Sequence, residues 1–199
     1  MGTYTPHFNL YKPSIDETGW GNKVNQNFDI IDEKLFIAGF EKVAEIEVDS
    51  DCTYVEFTNL DGNSAWFYVL FATIKNSSSS SSFYNLFVNG DNNETNYYQQ
   101  YIFANGDSLS SERQNNAYVG STGSNNFVSF DIFITKNPGG YFTASSKEIS
   151  YVSSDIKNSI RQISKIATID NIISLRIQST VSNAIGAGSK FILFKARRG

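Results

Sequence analysis

Between residues 20 and 35 the apolar residues recur with the period of an α-helix. They follow one another at intervals of four, four, three and four residues: Trp20, Val24, Phe28, Ile31 and Leu35. This spacing places all five on one face of a helix, and Gly39 is the residue type that commonly ends one. A lone helix of about 15 residues is marginal in water unless its apolar face is covered. The pattern therefore predicts a short helix that packs on a partner, on other copies of the chain or on the chain's own globular part.

The segment before this helix has the features of an extended arm. Phe8, Leu10 and Tyr11 lie between Pro6 and Pro13. Proline blocks helix and favours extended backbone in the residue before it. We therefore expect an extended arm that presents apolar side chains.

After residue 39 the pattern changes to the period of two that is typical of strands. Residues 43–48 and 53–58 alternate apolar and polar side chains, which predicts two neighbouring strands. Residues 65–74 are apolar on both faces, which predicts a central strand covered on each side. Six consecutive serines at 77–82 predict a solvated loop without packing contacts. Further strands are predicted at 83–88, 97–104, 117–119, 127–134, 141–143, 149–152, 172–177 and 191–194.

Residues 156–169 fit either period. Ile156, Ile160, Ile163 and Ile166 have helical spacing, whereas residues 163–169 also fit a strand, which we favour. Eight to ten strands with turn signals between them, and no alternation with helices, predict a mainly β fold. We expect an antiparallel β-sandwich with jelly-roll-like topology in residues 41–199, preceded by an extended arm and one short α-helix in residues 1–40.

Composition supports a folded domain and limits its setting. The chain of 199 residues is 40% hydrophobic and 15% aromatic, but only 18% of its residues are charged, against a usual share of about 25%. No apolar run reaches the ~18 residues of a membrane span, and the first residues lack the basic region and apolar core of an export signal. Cys52 is the sole cysteine, which excludes an internal disulfide and fits folding in a reducing cytoplasm.

Charge is distributed unevenly along the chain. Residues 43–112 contain ten acidic residues and one basic residue, whereas residues 113–199 contain four acidic and eleven basic residues. No linker separates these two halves. We therefore expect one domain whose early and late strands interleave, so that opposite charges lie side by side across a sheet.

The residues that catalysis or metal binding needs are scarce. His7 is the only histidine and lies in the arm, so a metal site, a cysteine nucleophile at Cys52 and Ser-His-Asp catalysis all lack a partner group. A glycosidase needs only a pair of carboxylates, and nothing distinguishes such a pair from solvated acids. We expect no enzyme activity, no metal and no cofactor. The acidic residues in predicted loops are Asp61, Asp91, Glu94, Asp107 and Glu112.

Aromatic side chains in the loops suggest a binding surface for sugars. Rings supply stacking faces and neighbouring amides supply directional hydrogen bonds, so the candidates for glycan contact are Tyr97, Tyr98, Tyr101 and Tyr118. The alternative is that half of these rings alternate into the core. The basic residues of the last strand fit a solvated strand as well as a nucleic-acid contact, so no specific nucleic-acid partner is expected.

Residues 9–32 resemble the opening segment of many bacteriophage tail-fibre and other virion-appendage proteins. Three motifs occur in the same order: Leu10-Tyr-Lys-Pro, Thr18-Gly-Trp-Gly and Val24-Asn-Gln-Asn-Phe-Asp. Asp16 and Glu17 stand where other members often have glycine. In that family the segment attaches the appendage to the particle and precedes a trimeric stem or distal domain. The resemblance implies attachment to other virion proteins through Phe8, Asn9, Leu10, Tyr11, Lys12, Pro13, Gly19, Trp20 and Gly21, and a homotrimer or similar oligomer assembled through Val24, Phe28, Ile31 and Leu35.

The last third of the chain has a looser resemblance. Leu175-Arg-Ile, Ile185-Gly-Ala-Gly-Ser and Phe191-Ile-Leu-Phe-Lys look like the closing strands of compact β-sandwich domains in phage structural proteins. Together the resemblances imply a virion structural protein, such as a tail fibre or head fibre, made in the host cytoplasm. Its sandwich is expected to bind a host-surface polysaccharide. The alternatives are a glycan-degrading appendage enzyme and a capsid-decorating protein with no receptor.

Overall fold

The computed structural model of the chain describes residues 3–4, 10–12, 14, 18–105, 108–152 and 155–197; within these ranges, the side chains of residues 20, 32–38, 105, 108, 151–152 and 155–156 are not described. The amino-terminal elements are β1 (Thr3–Tyr4), β2 (Tyr11–Lys12) and α1 (Trp20–Ala38). The first strands of the domain are β3 (Phe40–Glu47), β4 (Tyr54–Phe57), β5 (Ala65–Lys75), β6 (Ser82–Val88), β7 (Tyr97–Asn105) and β8 (Ser108–Gln114). They are followed by β9 (Tyr118–Thr122), β10 (Phe127–Lys136), β11 (Tyr141–Val152), β12 (Asp155–Thr168), β13 (Leu175–Ser179) and β14 (Lys190–Arg197).

The amino-terminal segment contains the predicted helix. Helix α1 begins after Gly19, whose φ of 75° lies in the left-handed region that glycine adopts without strain, and it ends before Gly39. The arm pairs with itself, since β1 and β2 form a two-stranded antiparallel ladder. The Asn27 side chain in α1 accepts the Tyr11 N–H at 2.6 Å and donates to the Tyr11 carbonyl at 2.5 Å. One amide thus holds the arm against the helix. In the part of the chain that the structure describes, no helix is both long and apolar enough to cross a membrane.

Twelve strands form two antiparallel sheets. The large sheet has the order β3-β14-β5-β10-β11-β12-β7-β8 and the small sheet has the order β4-β13-β6-β9. Eight of these strands form two facing sets of four, β3-β14-β5-β10 in the large sheet and β4-β13-β6-β9 in the small sheet. Along the chain, successive members of the eight change sheet at every step except from β6 to β9. This is the strand order of a jelly roll, built from two Greek keys. The prediction of a mainly β, antiparallel, jelly-roll-like fold is confirmed.

Two hairpins are inserted into this jelly roll. The hairpin β7–β8 comes between β6 and β9, and the pair β11–β12 comes between β10 and β13. Both extend the large sheet beyond β10, because β11 pairs with β10 and β12 pairs with β7. Strand β9 packs against β10, β11 and β12. The extension therefore brings its own side chains against the edge of the small sheet.

The core lies between the two sheets. On adjacent strands of the large sheet Leu193, Leu70 and Ile132 are in register and fully buried. They belong to one cluster with Leu86 and Ile177 of the small sheet. The alternation of side chains along each strand produces this arrangement, since every second residue points inward.

The opposite charges of the early and late strands do pair across the large sheet. Glu41 accepts from Lys195 at 3.4 Å and from Arg197 at 2.6 Å, and Glu47 lies 3.3 Å from Lys190. In the small sheet, Glu56 pairs with Arg176 at 3.0 Å. The expected interleaving is therefore confirmed, and so is a strand over most of residues 156–169.

Some expectations were wrong for reasons that the topology explains. Residues 43–48 and 53–58 are not neighbouring strands, because β3 lies in the large sheet and β4 lies in the small sheet. Strand β5 is central but covered on one face only, so Trp66 remains 61% exposed and Phe71 46% exposed. Strand β8 was missed, because it is an edge strand that pairs with β7 alone, and such a strand needs no apolar residues of its own.

The serine run also has packing contacts that its composition did not predict. Asn76, immediately before it, is fully buried and donates to the carbonyls of Ser80 and Gly123 at 2.8 and 2.9 Å. Ser82, its last residue, is also fully buried. Hydrogen bonds therefore connect the loop to the turn before β10.

Candidate functional site

The four tyrosines proposed for glycan contact lie in three different places. Tyr97 is fully buried, where its hydroxyl donates to the Asp91 carbonyl and accepts the Val88 N–H. That candidate was wrong, since the core excludes any ligand from its ring. Tyr98 is 41% exposed on the outer face of the large sheet, beneath Arg113. Tyr101 and Tyr118 lie together in one concavity.

This concavity, called the groove below, lies where the inserted hairpins meet the small sheet. It has a volume of about 410 Å³ and is lined by Phe83, Tyr101, Phe103, Gln114, Tyr118, Lys157 and Arg161. An adjoining hollow of about 330 Å³ shares Phe83, Phe103 and Lys157 with it and continues toward the serine run and β9. The groove thus takes residues from both sheets, and neither sheet alone forms it.

The walls of the groove are two aromatic pairs. Phe83 and Tyr118 stack with ring centroids 4.6 Å apart and an interplanar angle of 18°. Tyr101 and Phe103 stack at 5.7 Å and 30°, because residues two apart on β7 share its inner face. The first pair stands on the small sheet and the second on the large sheet. Apolar faces therefore line both sides of the groove.

The floor of the groove carries two cations from β12. Arg161 is 2% exposed, and its guanidinium lies 4.8 Å from the Tyr101 ring centroid. The Lys157 ammonium lies 6.0 Å from the Phe103 ring. Residues 157, 159 and 161 all face inward on β12, so alternation brings two charges and a serine beneath the aromatic walls.

Both cations are held by one carboxylate. Glu148 of β11 is fully buried, and its Oε2 accepts from Arg161 Nη2 at 3.2 Å and Nε at 3.3 Å. Lys157 Nζ lies 3.7 Å from Oε1. Hydroxyls of Ser150 and Ser159 and the backbone N–H of Ser121 also donate to this carboxylate. Both oxygens of this buried anion therefore accept hydrogen bonds, as its burial requires.

The cluster carries unequal charges. One carboxylate, Glu148, faces two cations, Lys157 and Arg161. Burial lowers the pKa of Lys157, the nearby Arg161 charge lowers it further, and Glu148 opposes both effects. A net positive charge thus lies at the floor of an aromatic groove, where it interacts more strongly than it would in water.

Two further carboxylates border the groove. Glu112 accepts the Tyr101 hydroxyl at 2.6 Å, and Glu94 accepts the Asn85 side-chain amide at 2.9 Å. Burial raises the pKa of Tyr118, and the Glu94 charge raises it further. Each acid is thus engaged in orienting a neighbouring side chain. Among the described residues, no group of three or more His, Cys, Asp or Glu side chains is arranged to hold a metal ion.

The other loop acids have structural partners. Asp91 accepts from Lys165 and from the Asn96 amide at 2.9 and 3.0 Å. Asp61 accepts from the Asn171 amide and the Asn63 N–H, each at 3.1 Å. Asp107 lies outside the described residues, as does His7.

A second concavity lies beside Trp66 and is larger, about 560 Å³. It is lined by Trp66, residues 135–138 and Gly140. Its one lysine, Lys136, donates to the Asn63 side chain at 3.1 Å and to the Asp170 carbonyl. The groove, with four rings and two cations, has the richer chemistry.

The residues assigned to attachment are only partly described. Phe8, Asn9 and Pro13 lie outside the described residues, as do the side chains of Trp20 and Leu35. Leu10, Tyr11, Val24 and Ile31 are half-buried, Lys12 and Gly21 are exposed, and Phe28 is 63% exposed. Lys23 covers the Tyr11 ring at 4.1 Å. On the helical stripe, Phe28 therefore projects into solvent beside half-buried neighbours.

Sequence reasoning identified Tyr101 and Tyr118 in the groove. It missed the other five lining residues, Phe83, Phe103, Gln114, Lys157 and Arg161. A signal was present in β12, where Lys157 and Arg161 alternate with Ile160, an isoleucine that is 51% exposed. Such alternation indicates a strand, but it does not indicate that the charged side faces inward. Neither a family model nor a curated protein matches this chain.

Proposed function

We propose that the chain is a structural protein of a bacteriophage particle, an appendage such as a tail fibre or head fibre. Its amino-terminal arm and helix hold it to other virion proteins. Its jelly roll binds a polysaccharide of the host surface in the groove and does not cleave it.

The groove is the observation that supports glycan binding. Its volume of about 410 Å³ falls within the roughly 300–1,000 Å³ of ligand clefts in proteins. The stacked pairs Phe83–Tyr118 and Tyr101–Phe103 present apolar ring faces on both sides, and Gln114 adds an amide. Sugar rings carry apolar C–H faces and polar edges, so this lining suits them. Strands of two packed sheets hold every lining side chain, which limits the entropy lost on binding.

Attachment is supported by the position and the surface of the helix. Helix α1 ends at Ala38 and β3 begins at Phe40, at the edge of the large sheet opposite to β7 and β8. Phe28 is exposed in the middle of the stripe, and the near-heptad spacing of that stripe suits a bundle of identical helices. The resemblance of residues 9–32 to the attachment segment of phage appendages agrees with this arrangement. We therefore propose that a homotrimer or similar oligomer assembles through α1.

Glycan binding is tested by removing one wall of the groove. Phe83→Ala should weaken binding to host envelope polysaccharide about tenfold, since one buried ring face contributes on the order of 1.5 kcal/mol. Tyr98→Ala is the matched control, because Tyr98 is equally exposed, at 41%, on the opposite face of the large sheet. Biolayer interferometry with immobilised polysaccharide gives the affinities.

The same samples distinguish binding from catalysis. Polysaccharide incubated with the protein should keep its size on gel filtration. Progressive shortening that Glu112→Gln or Glu94→Gln abolishes would establish the appendage enzyme instead. Absence of both binding and shortening would favour a decorating protein with no receptor.

A further inference from the structure

Lys157 is the cation of the groove that remains available to a ligand. Arg161 donates hydrogen bonds from Nε and Nη2 to Glu148, and the Tyr101 ring covers its guanidinium. Lys157 lies 3.7 Å from Glu148, beyond hydrogen-bond distance, and donates to the Ser121 hydroxyl at 2.5 Å. An ammonium group has three donors. The Lys157 side chain is 17% exposed, whereas that of Arg161 is 3% exposed.

The position of Lys157 adds to this availability. It is one of three residues that line both the groove and the adjoining hollow, and the other two are Phe83 and Phe103. A ligand that extends from one concavity into the other passes its ammonium group. The single negative charge of Glu148 cannot neutralise both Lys157 and Arg161. A ligand anion at this point would supply the missing negative charge.

We propose that the groove selects an acidic glycan, one whose sugar carboxylate pairs with the Lys157 ammonium between the stacked rings. This inference rests on the proposed function, and it adds the chemical class of the ligand. Arg161 sustains the positive potential from below without direct contact. The bond formed is a charge-assisted hydrogen bond, which is roughly twice as strong as a neutral one.

The carboxylates of Glu94 and Glu112 at the border of the groove limit how much negative charge a ligand can carry. They would repel a densely charged polyanion, whereas a polysaccharide with one carboxylate per sugar can place that group at Lys157 and its uncharged edges near the acids. The chemistry therefore favours a uronic-acid type of polymer over nucleic acid. It also makes the affinity salt-dependent, since salt screens the attraction between an acidic polymer and the groove.

The test uses the full chain and a panel of hexuronate oligosaccharides, each paired with its carboxyl-reduced form. We expect the wild type to bind at least one acidic member tenfold or more tighter than its neutral counterpart in isothermal titration calorimetry. Lys157→Met should abolish this preference, so that the acidic and neutral forms bind with equal affinity. The matched control is Lys147→Met, a lysine on the outer face of β11 that is exposed.

The outcomes separate the inference from the function on which it rests. Equal binding of the acidic and neutral forms would overturn the charge selection and leave glycan binding intact. Binding to neither form of any pair would overturn both. Equal affinity for polyglutamate would show a general anion site and contradict a glycan. If Lys157→Met fails to fold, the salt dependence of wild-type binding tests the inference instead. Raising the salt concentration should weaken the binding of the acidic forms only.

Discussion

At the scale of single residues, Glu148 organises the candidate site. It is fully buried in β11 and joins β12, through Arg161 and Ser159, to β9, through Ser121. A buried charge that loses its partner is strongly destabilising, because the remaining group cannot be solvated. The shape of the groove therefore depends on a carboxylate that no ligand touches.

Glu148→Gln should lower the free energy of unfolding by roughly 3–5 kcal/mol, since it leaves the buried Arg161 and the half-buried Lys157 without a counter-charge. Glu47→Gln is the control. Glu47 pairs with Lys190 at 3.3 Å with both side chains about 60% exposed, and such surface pairs contribute about 0–1 kcal/mol. Urea unfolding measures both variants. Equal effects would show that the cluster is not a stabilising unit.

The Asp91 carboxyl makes the stability of the fold depend on pH in the acidic range. Burial raises the pKa of its carboxyl, but the hydrogen bonds from Lys165, Asn96 and Asn93 outweigh burial and lower the pKa below its usual 3.8. Its contribution to stability is thus complete above pH 3.8 and is lost as pH falls through the lowered value. We expect wild type to be more stable than Asp91→Asn at pH 6, with the difference shrinking toward pH 2. Thermal unfolding across this range measures it, and a constant difference would contradict the linkage.

At the scale of elements, the sequence predicts the elements that have an apolar pattern and misses those that have none. The helix ending before Gly39 and the strands β3 and β4 carry their period in their apolar residues, and the long strand β5 is a continuous apolar run. Strand β8 has no such pattern, since residues 108–114 contain one large apolar residue, Leu109, which is 77% exposed. A period of two also leaves open which sheet a strand joins, so the separation of β3 from β4 could not be predicted.

Helix α1 should mediate association between copies. Replacing both Phe28 and Ile31 with Asp places charge in the stripe and should convert an oligomer to a monomer. The control is Asn25→Asp with Gln26→Asp, which adds the same charge at two exposed positions of the helix. Light scattering at high concentration reports the mass. A wild type that is already monomeric would assign the stripe to a virion partner.

At the scale of the whole molecule, the eight jelly-roll strands form the frame, and the two inserted hairpins contribute most of the groove residues. Tyr101 and Phe103 come from one insertion, Lys157 and Arg161 come from the other, and Tyr118 comes from the frame. These residues are far apart in the sequence and lie on two sheets. Local sequence patterns could therefore identify the tyrosines as candidates but could not predict which other residues lie beside them. Interleaved topology brought them together.

The sandwich should fold without the arm and helix. Among the side chains that the structure describes, the buried core contains no residue before Val48, and the first partly buried residue packed against it is Val43. Deleting residues 1–38 should therefore leave a cooperative thermal transition within a few degrees of the wild type, while incorporation into particles is lost. A truncated chain that joins particles normally would contradict the attachment role, and one that fails to fold would place α1 in the domain.

The order of strands in the large sheet also determines how the protein would bear a load. Six strand intervals, roughly 29 Å along the sheet, separate β3, where α1 joins, from β7 beside the groove. Interstrand hydrogen bonds run perpendicular to antiparallel strands. In the proposed appendage, a pull between a particle and a tethered cell would therefore act along these bonds and open the ladders one at a time. A single copy would yield at low force. A firm grip on a cell would then come from many copies that bind together, since linked sites gain avidity without any new contact.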